Sequence, residues 1–362
     1  MRVREISMVA PVYPDDGPRG QRLIRRIRGI SLEVVAFVLV TVLMPALLLG
    51  AAVADLILWI RRRKPWVGIR LALFLWWFLL GELRALLVIL GIWIRVGGPF
   101  GGDSERRRLS LYNLRISWAR MHLAGIRVLF GLEMRSDGLE SAGPGPVVVM
   151  IRHASIIDNT VPDSFVAHAH GLGLRYVIKR ELSFLPVIDI GGRWVPTNFV
   201  RRASGDTEGE VKRLLGLTED LGPGEGILIY PEGTRHTDAK LVRAKQKIAE
   251  SQPEIAPLAD RLQHLLPPRL GGPLALLEDT AGTDVVFCAH VGFDGLESVK
   301  DIWRGELVGR TIEVHFRRVA GAEIPTGRDE RIRWLYRHWQ ELDDWVGERK
   351  AVAAATAPAH SA

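Results

Sequence analysis

The sequence predicts an α/β domain tethered by an N-terminal pair of apolar segments. Three observations predict it. β-branched or alternating apolar runs recur between Pro146 and Val319, as strands do. Segments with helical apolar spacing lie before and after them. Short polar motifs follow two of the runs, where an α/β sheet exposes reactive groups at its strand ends.

Residues 1–30 are rich in Pro, Gly and Arg, with Arg19, Arg22, Arg25, Arg26 and Arg28 close together. They read as a basic, poorly structured arm lying near anionic lipid. Residues 31–98 read as a membrane-embedded hydrophobic hairpin. Val34 to Ala54 carries no charge over 21 residues, about 31 Å of helix and enough to cross a bilayer. Ala52-Val53-Ala54 resembles a signal-peptidase site, but the basic region before it is long and a second apolar segment follows. Arg61, Arg62, Arg63 and Lys64 separate the first segment from Trp66–Ile94, which holds Arg70, Glu82 and Arg84. Arg70 and Arg84 fall about 40° apart on a helical wheel, as in a helix lying in the interface. Two full crossings would leave the Arg61–Lys64 cluster against the positive-inside tendency. Pro45 permits a bent, re-entrant hairpin that keeps every basic cluster on the cytoplasmic side. Both arrangements place the following domain in the cytoplasm, at the cell membrane.

Residues 101–350 form the globular domain. Ser104–Ala124 reads as a helix with Leu111, Leu114, Trp118 and Met121 at core spacing, and Ile126–Arg135 alternates as a strand. SDGLESAGPG is a turn-rich loop into the strand Pro146–Met150. Further strands are expected at Tyr176–Ile178, Gly226–Tyr230, Val285–Val291 and Thr311–Val319. Between Glu330 and Lys350, the stripe Ile332, Leu335, Trp339, Leu342 and Trp345 predicts a helix docked on the sheet. Residues 351–362 read as a disordered tail. The single cysteine, Cys288, excludes an internal disulfide and sits in a strand, where core packing accounts for it. The formal net charge of +7 suits an anionic partner. Beside arginine-flanked apolar segments, that partner is a membrane phospholipid surface and not a nucleic acid.

Two motifs carry the chemistry. In RHASIID, Arg152–Asp158, His153 stands just past a strand with Asp158 five residues on. A neutral imidazole can take a proton from a hydroxyl, while the carboxylate fixes the tautomer and stabilises the imidazolium. Ser155 is explained as a helix cap. In YPEGTRHT, Tyr230–Thr237, backbone amides, Thr234 and the Arg235 fork can hold a phosphate. Glu232 would repel one unless it points elsewhere, toward Arg235 or a substrate hydroxyl. The nucleotide P-loop pattern is absent. Lys240, Arg243, Lys245 and Lys247 read as a solvated or lipid-facing helix surface. His168, His170 and His290 lack metal-ligand spacing, so no metal site is assigned.

HASIID followed by PEGTR resembles the lysophospholipid acyltransferase family, which includes the 1-acylglycerol-3-phosphate acyltransferases. KRELSFLPVI from Lys179 and FVRR at Phe199–Arg202 resemble that family's intervening block. EGTRHT, HLLPPRLGG at His264–Gly272 and FRRVAGAEIP look most like the lysocardiolipin acyltransferase branch. Two departures stand out: Arg152 occupies a position that is often Asn, and Pro267-Pro268 replaces a single proline. The resemblance implies a central mixed sheet flanked by helices, the glycerolipid acyltransferase-like fold. It implies His153 as general base and Asp158 as its orienter, with no acyl-enzyme. Glu232, Gly233, Thr234 and Arg235, helped by Lys179, Arg202 and Arg269, would bind the acceptor. The reaction implied is transfer from acyl-CoA or acyl carrier protein, as co-substrate and without a cofactor, to a lysophospholipid hydroxyl. Lysophosphatidic acid leads as acceptor; lysocardiolipin, other lysophospholipids and glycolipids are alternatives. The rivals from other classes are a non-catalytic scaffold binding anionic lipid, and a hydrolase using the same His and Asp on water.

Overall fold

The computed structural model describes residues 2–3, 18–98, 103–200, 207–296 and 298–356. Helices α1 (Arg19–Arg62) and α2 (Gly68–Arg95) form an antiparallel hairpin, and both are long and apolar enough to cross a membrane by length and composition. The turn between them is fastened by Asp55, whose carboxylate accepts the N–H groups of Val67, Gly68 and Ile69 at 3.2, 2.8 and 3.0 Å. These are amides that the start of α2 leaves without intrahelical partners. Farther along, Trp76 Nε1 donates to Thr41 Oγ1 at 3.0 Å.

The hairpin corrects two expectations. Residues 19–30 of the basic arm are already helical, and residues 4–17 lie outside the described residues. Helix α1 also continues through Pro45, so the hairpin turns at 63–67 and not at the proline. A proline removes one intrahelical bond, which a long helix in an apolar setting tolerates. Arg70 points at the next helix, donating to Leu129 O and Trp66 O.

Helix α3 (Ser104–Phe130) is capped by Asp103, which accepts the Arg106 N–H at 2.9 Å, and ends at Gly131 with φ +68°. It overruns the predicted strand: Ile126 and Phe130 are one helical turn apart and both buried. The strand β1 is shorter, Glu133–Asp137. The sheet is completed by β2 (Val147–Ile151), β3 (Gly173–Lys179), β4 (Thr197–Val200), β5 (Glu225–Ile229), β6 (Asp284–Val291) and β7 (Thr311–Val319). Its order is β1-β7-β6-β2-β5-β3-β4. β6, β2, β5, β3 and β4 are parallel, and β7 meets β6 antiparallel. The central β2 is buried along its length, as a β-branched strand covered on both faces must be. The edge strand β1 carries charged, exposed residues that discourage further pairing.

One face of the sheet packs against α3 and the hairpin through Val147, Val149, Ile151 and Leu228. The other, through Val148, Met150, Ile227 and Ile229, packs against α5 (Thr207–Leu215), α7 (Gly271–Asp279) and α9 (Arg328–Thr356). Short helices α4 (Pro186–Gly191) and α8 (Val299–Trp303) touch the hairpin, and α6 (Asp238–Ser251) follows YPEGTRHT. The predicted tail is helical through Thr356, because AVAAAT prolongs α9 with good helix formers; residues 357–362 lie outside the described residues.

Candidate active site

The C-terminal ends of the parallel strands β2, β5 and β3 bring the two motifs together. His153 follows β2, and its Nδ1 lies 3.1 and 3.2 Å from the Asp158 oxygens. Asp158 Oδ2 also accepts the Ala154 and Ser155 N–H groups at 2.7 and 2.8 Å, and His290 Nε2 approaches it at 3.5 Å. Burial works against ionisation of this carboxyl, yet the bonds from His153 and His290 hold it well below the usual carboxylate range. With Nδ1 directed at a carboxylate, the proton resides there and Nε2 is left basic for the cavity that His153 lines.

The YPEGTRHT stretch holds His153 by its backbone. Glu232 Oε1 accepts the His153 N–H at 2.8 Å, and the His236 N–H donates to the His153 carbonyl at 2.7 Å. Glu232 Oε2 accepts the Leu266 N–H at 3.2 Å. This corrects the assignment of Glu232 to the acceptor: its carboxylate is buried, engaged with backbone and away from the cavity wall. Burial raises its pKa to about 8, against the pull of those N–H groups and of Arg152.

The loop that Glu232 meets is anchored from the far side by α9. Asp343 accepts the N–H groups of Gln263, His264 and Leu265 at 2.9, 2.7 and 2.7 Å. Trp339 Nε1 donates to Leu266 O at 3.0 Å. The loop returns Arg269, whose N–H donates to Pro231 O at 2.9 Å. The Arg269 side chain lies on Gly233, where a Cβ would sit 2.8 Å from Arg269 Cδ and φ is +66°. Only glycine serves there.

These residues meet a cavity of about 1060 Å³. His153, Gly233, Arg269 and Lys179 line it; Thr234 and Arg235 lie outside its wall, and Arg202 lies outside the described residues. One arm runs between α2 and α3, past Phe74, Phe78, Trp118 and Phe130. Another passes to the opposite face of the sheet, beside Val177, Asn198, Ile229 and Leu214.

Arg152 does not assist a substrate. It is fully buried on the other face, donating to Asp294 and to the carbonyls of His290 and His264. Ser155 caps no α-helix: its Oγ donates to Leu296 O at 2.9 Å and accepts the Ile157 N–H at 3.1 Å. Cys288 is buried in β6, and burial pushes its thiol well above the ordinary range, so it offers no nucleophile. Sequence reasoning missed His290. Its signal was a lone polar residue ending the apolar run VVFCA, beside the strand that leads to His153.

Residues 133–259 match the family model described as Acyltransferase. The chain is 25% identical over 209 residues to 1-acyl-sn-glycerol-3-phosphate acyltransferase epsilon of Mus musculus, covering 54% of this chain and 56% of that one. It is 26% identical over 213 residues to 1-acyl-sn-glycerol-3-phosphate acyltransferase delta of Bos taurus, covering 57% and 53%. It thus spans about half the length of the curated relatives it matches. The crystal structure of a 1-acyl-sn-glycerophosphate acyltransferase from Thermotoga maritima aligns with a TM-score of 0.47 at 15% identity, over 75% of this chain and 98% of that chain.

Proposed function

We propose, from the premise that residues 133–259 are an acyltransferase-family domain of the 1-acyl-sn-glycerol-3-phosphate acyltransferase type, that the chain acylates a lysophospholipid. The donor is the thioester of acyl-CoA or acyl carrier protein, and the first acceptor to consider is 1-acylglycerol-3-phosphate, giving phosphatidic acid. The carrying observation is the pair His153–Asp158 on the wall of a largely apolar cavity, with Nδ1 at 3.1 Å from the carboxylate.

The acceptor hydroxyl gives its proton to His153 Nε2 as its oxygen attacks the thioester carbonyl. Asp158 stabilises the imidazolium. Collapse of the tetrahedral intermediate forms the ester, breaks the C–S bond and returns the proton to the departing thiolate. A thioester is already activated, so placing the hydroxyl and removing its proton supplies most of what is needed. Arg269, over Gly233, and Lys179 supply cations for an anionic substrate at the cavity wall. Thr234 and Arg235 act from just outside it.

The hairpin keeps this cavity against lipid, with α1 lying along the membrane interface and the domain on the cytoplasmic side. Supporting that topology, both ends of α1 touch the same domain. Arg25 and Arg26 bond Asp189 in α4 at 2.7 and 3.0 Å, while Lys64, at the other end, lies 4.5 Å over the Trp303 ring of α8.

Membranes containing the intact chain or His153→Ala, given labelled acyl-CoA or acyl carrier protein and a panel of lysophospholipids, test the reading. Transfer to one acceptor that falls about 100-fold or more in the variant, with lipid association intact, is the expected result. No acylated product from either donor sinks the reading, and release of free fatty acid alone would point to hydrolysis.

A further inference from the structure

The two arms of the cavity differ in chemistry. The arm between α2 and α3 is walled mainly by aliphatic and aromatic side chains, with Arg115 and His122 of α3 among them. The arm on the opposite face carries a neutral amide. Thr197 and Asn198 stand beside Tyr176 and Val177 in the β3–β4 register. Tyr176 points to the α3 side, where its hydroxyl donates to Asp163 at 2.9 Å and Arg115 covers its ring at 4.2 Å. Val177 and Asn198 therefore face the α5–α7 side, since successive strand residues alternate. Asn198 is 3% exposed, and among the described residues its Nδ2 has no hydrogen-bond partner. A buried amide left unpaired is costly and calls for an explanation. Across the arm, Gly271 and Gly272 open α7, and a Cβ at Gly271 would meet nothing within 4 Å.

We propose that this second arm, with Asn198 as its donor of a hydrogen bond, receives the phosphopantetheine arm of the acyl donor. The assignment rests on the acyl-transfer reading. A pantetheine arm alternates short aliphatic stretches with amide carbonyls. It therefore fits a mostly apolar passage that holds an unpaired N–H group. From there its thioester reaches His153, and the acyl chain continues into the arm between α2 and α3. The acyl chain and the polar arm thus lie on opposite faces of the sheet. Coenzyme A and acyl carrier protein share this phosphopantetheine, so either can be the source.

The test compares the intact wild type with Asn198→Ala and Gly271→Leu, the latter adding a side chain at the arm's mouth where a Cβ meets nothing within 4 Å. Donors are acyl-CoA, acyl carrier protein and an acyl ethanethiol ester, which lacks both amides and the phosphate. Losing one neutral hydrogen bond should raise the donor KM roughly three- to tenfold, with the acceptor KM and the rate with the ethanethiol ester unchanged. Gly271→Leu should do the same to the phosphopantetheine donors. The melting temperature of Asn198→Ala should hold or rise, because an unpaired buried amide has been removed. The assignment is overturned by a shift in the acceptor KM instead, by an unchanged donor KM in an active Asn198→Ala, or by equal slowing with the ethanethiol ester. A wild type inactive with all donors overturns the transfer reading and this assignment with it; an active wild type separates the two. Whichever of the two natural donors the wild type uses identifies the source.

Discussion

Glu232 shows how a conspicuous motif residue can work through another. Its two oxygens hold the amides of His153 and Leu266, so it joins His153 to the loop carrying Arg269. Glu232→Ala leaves two buried N–H groups unpaired, each costing about 1–3 kcal/mol. Displacing a catalytic group by an ångström costs about 100-fold in rate. The expected result is a kcat lowered roughly 10- to 100-fold, with the acceptor KM within about twofold of wild type. Steady-state kinetics against acceptor concentration checks it; a large rise in acceptor KM at unchanged kcat would restore the binding role. The contact of His153 with Asp158 was legible from their spacing taken together with the second motif, Tyr230–Thr237, because five residues let a carboxylate turn back on the ring. Glu232, Arg152 and His290 were not. Each acts across strands distant in sequence, and which way a side chain leaves a strand end depends on where the neighbouring strands stop.

At the level of elements, the buried strands were legible because period and β-branching agree. Residues 126–135 misled because apolar residues at Ile126 and Phe130 satisfy a helical period while the segment also alternates locally. Strand β4 was hidden inside a stretch read only as substrate-binding, being short and at the sheet edge. Helix α9 was predicted and docks through its apolar stripe, but it also buries His338 between Trp334 and Phe287, with Nδ1 2.8 Å from Glu341. Burial, with the charges of Arg317 and Arg337 adding to it, lowers the His338 pKa to about 4. The folded value lies below the unfolded one, so between about 4 and 6.5 the unfolded chain binds more protons and stability falls with falling pH. Calorimetry from pH 7 to pH 4.5 should show a melting temperature that drops less in His338→Phe than in wild type, by about 2–4 °C. Equal drops would place the acid sensitivity elsewhere.

For the whole molecule, the hairpin is fastened to the α/β domain at both ends of α1, through Asp189 and through Trp303. Composition showed the two apolar segments but could not show this, because the contacts join residues far apart along the chain. Single cysteines placed by Arg19→Cys and Arg62→Cys, beside the buried Cys288, should react with a membrane-impermeant thiol reagent from the same side of sealed vesicles as the domain. Labelling from opposite sides would mean that α1 crosses. The three N–H groups gathered by Asp343 carry a different consequence. The loop bearing Arg269 is made well before the helix that anchors it, and the hairpin before either. A growing polypeptide therefore presents its apolar hairpin, and then the loop bearing Arg269, well before Asp343 emerges to gather that loop's three N–H groups.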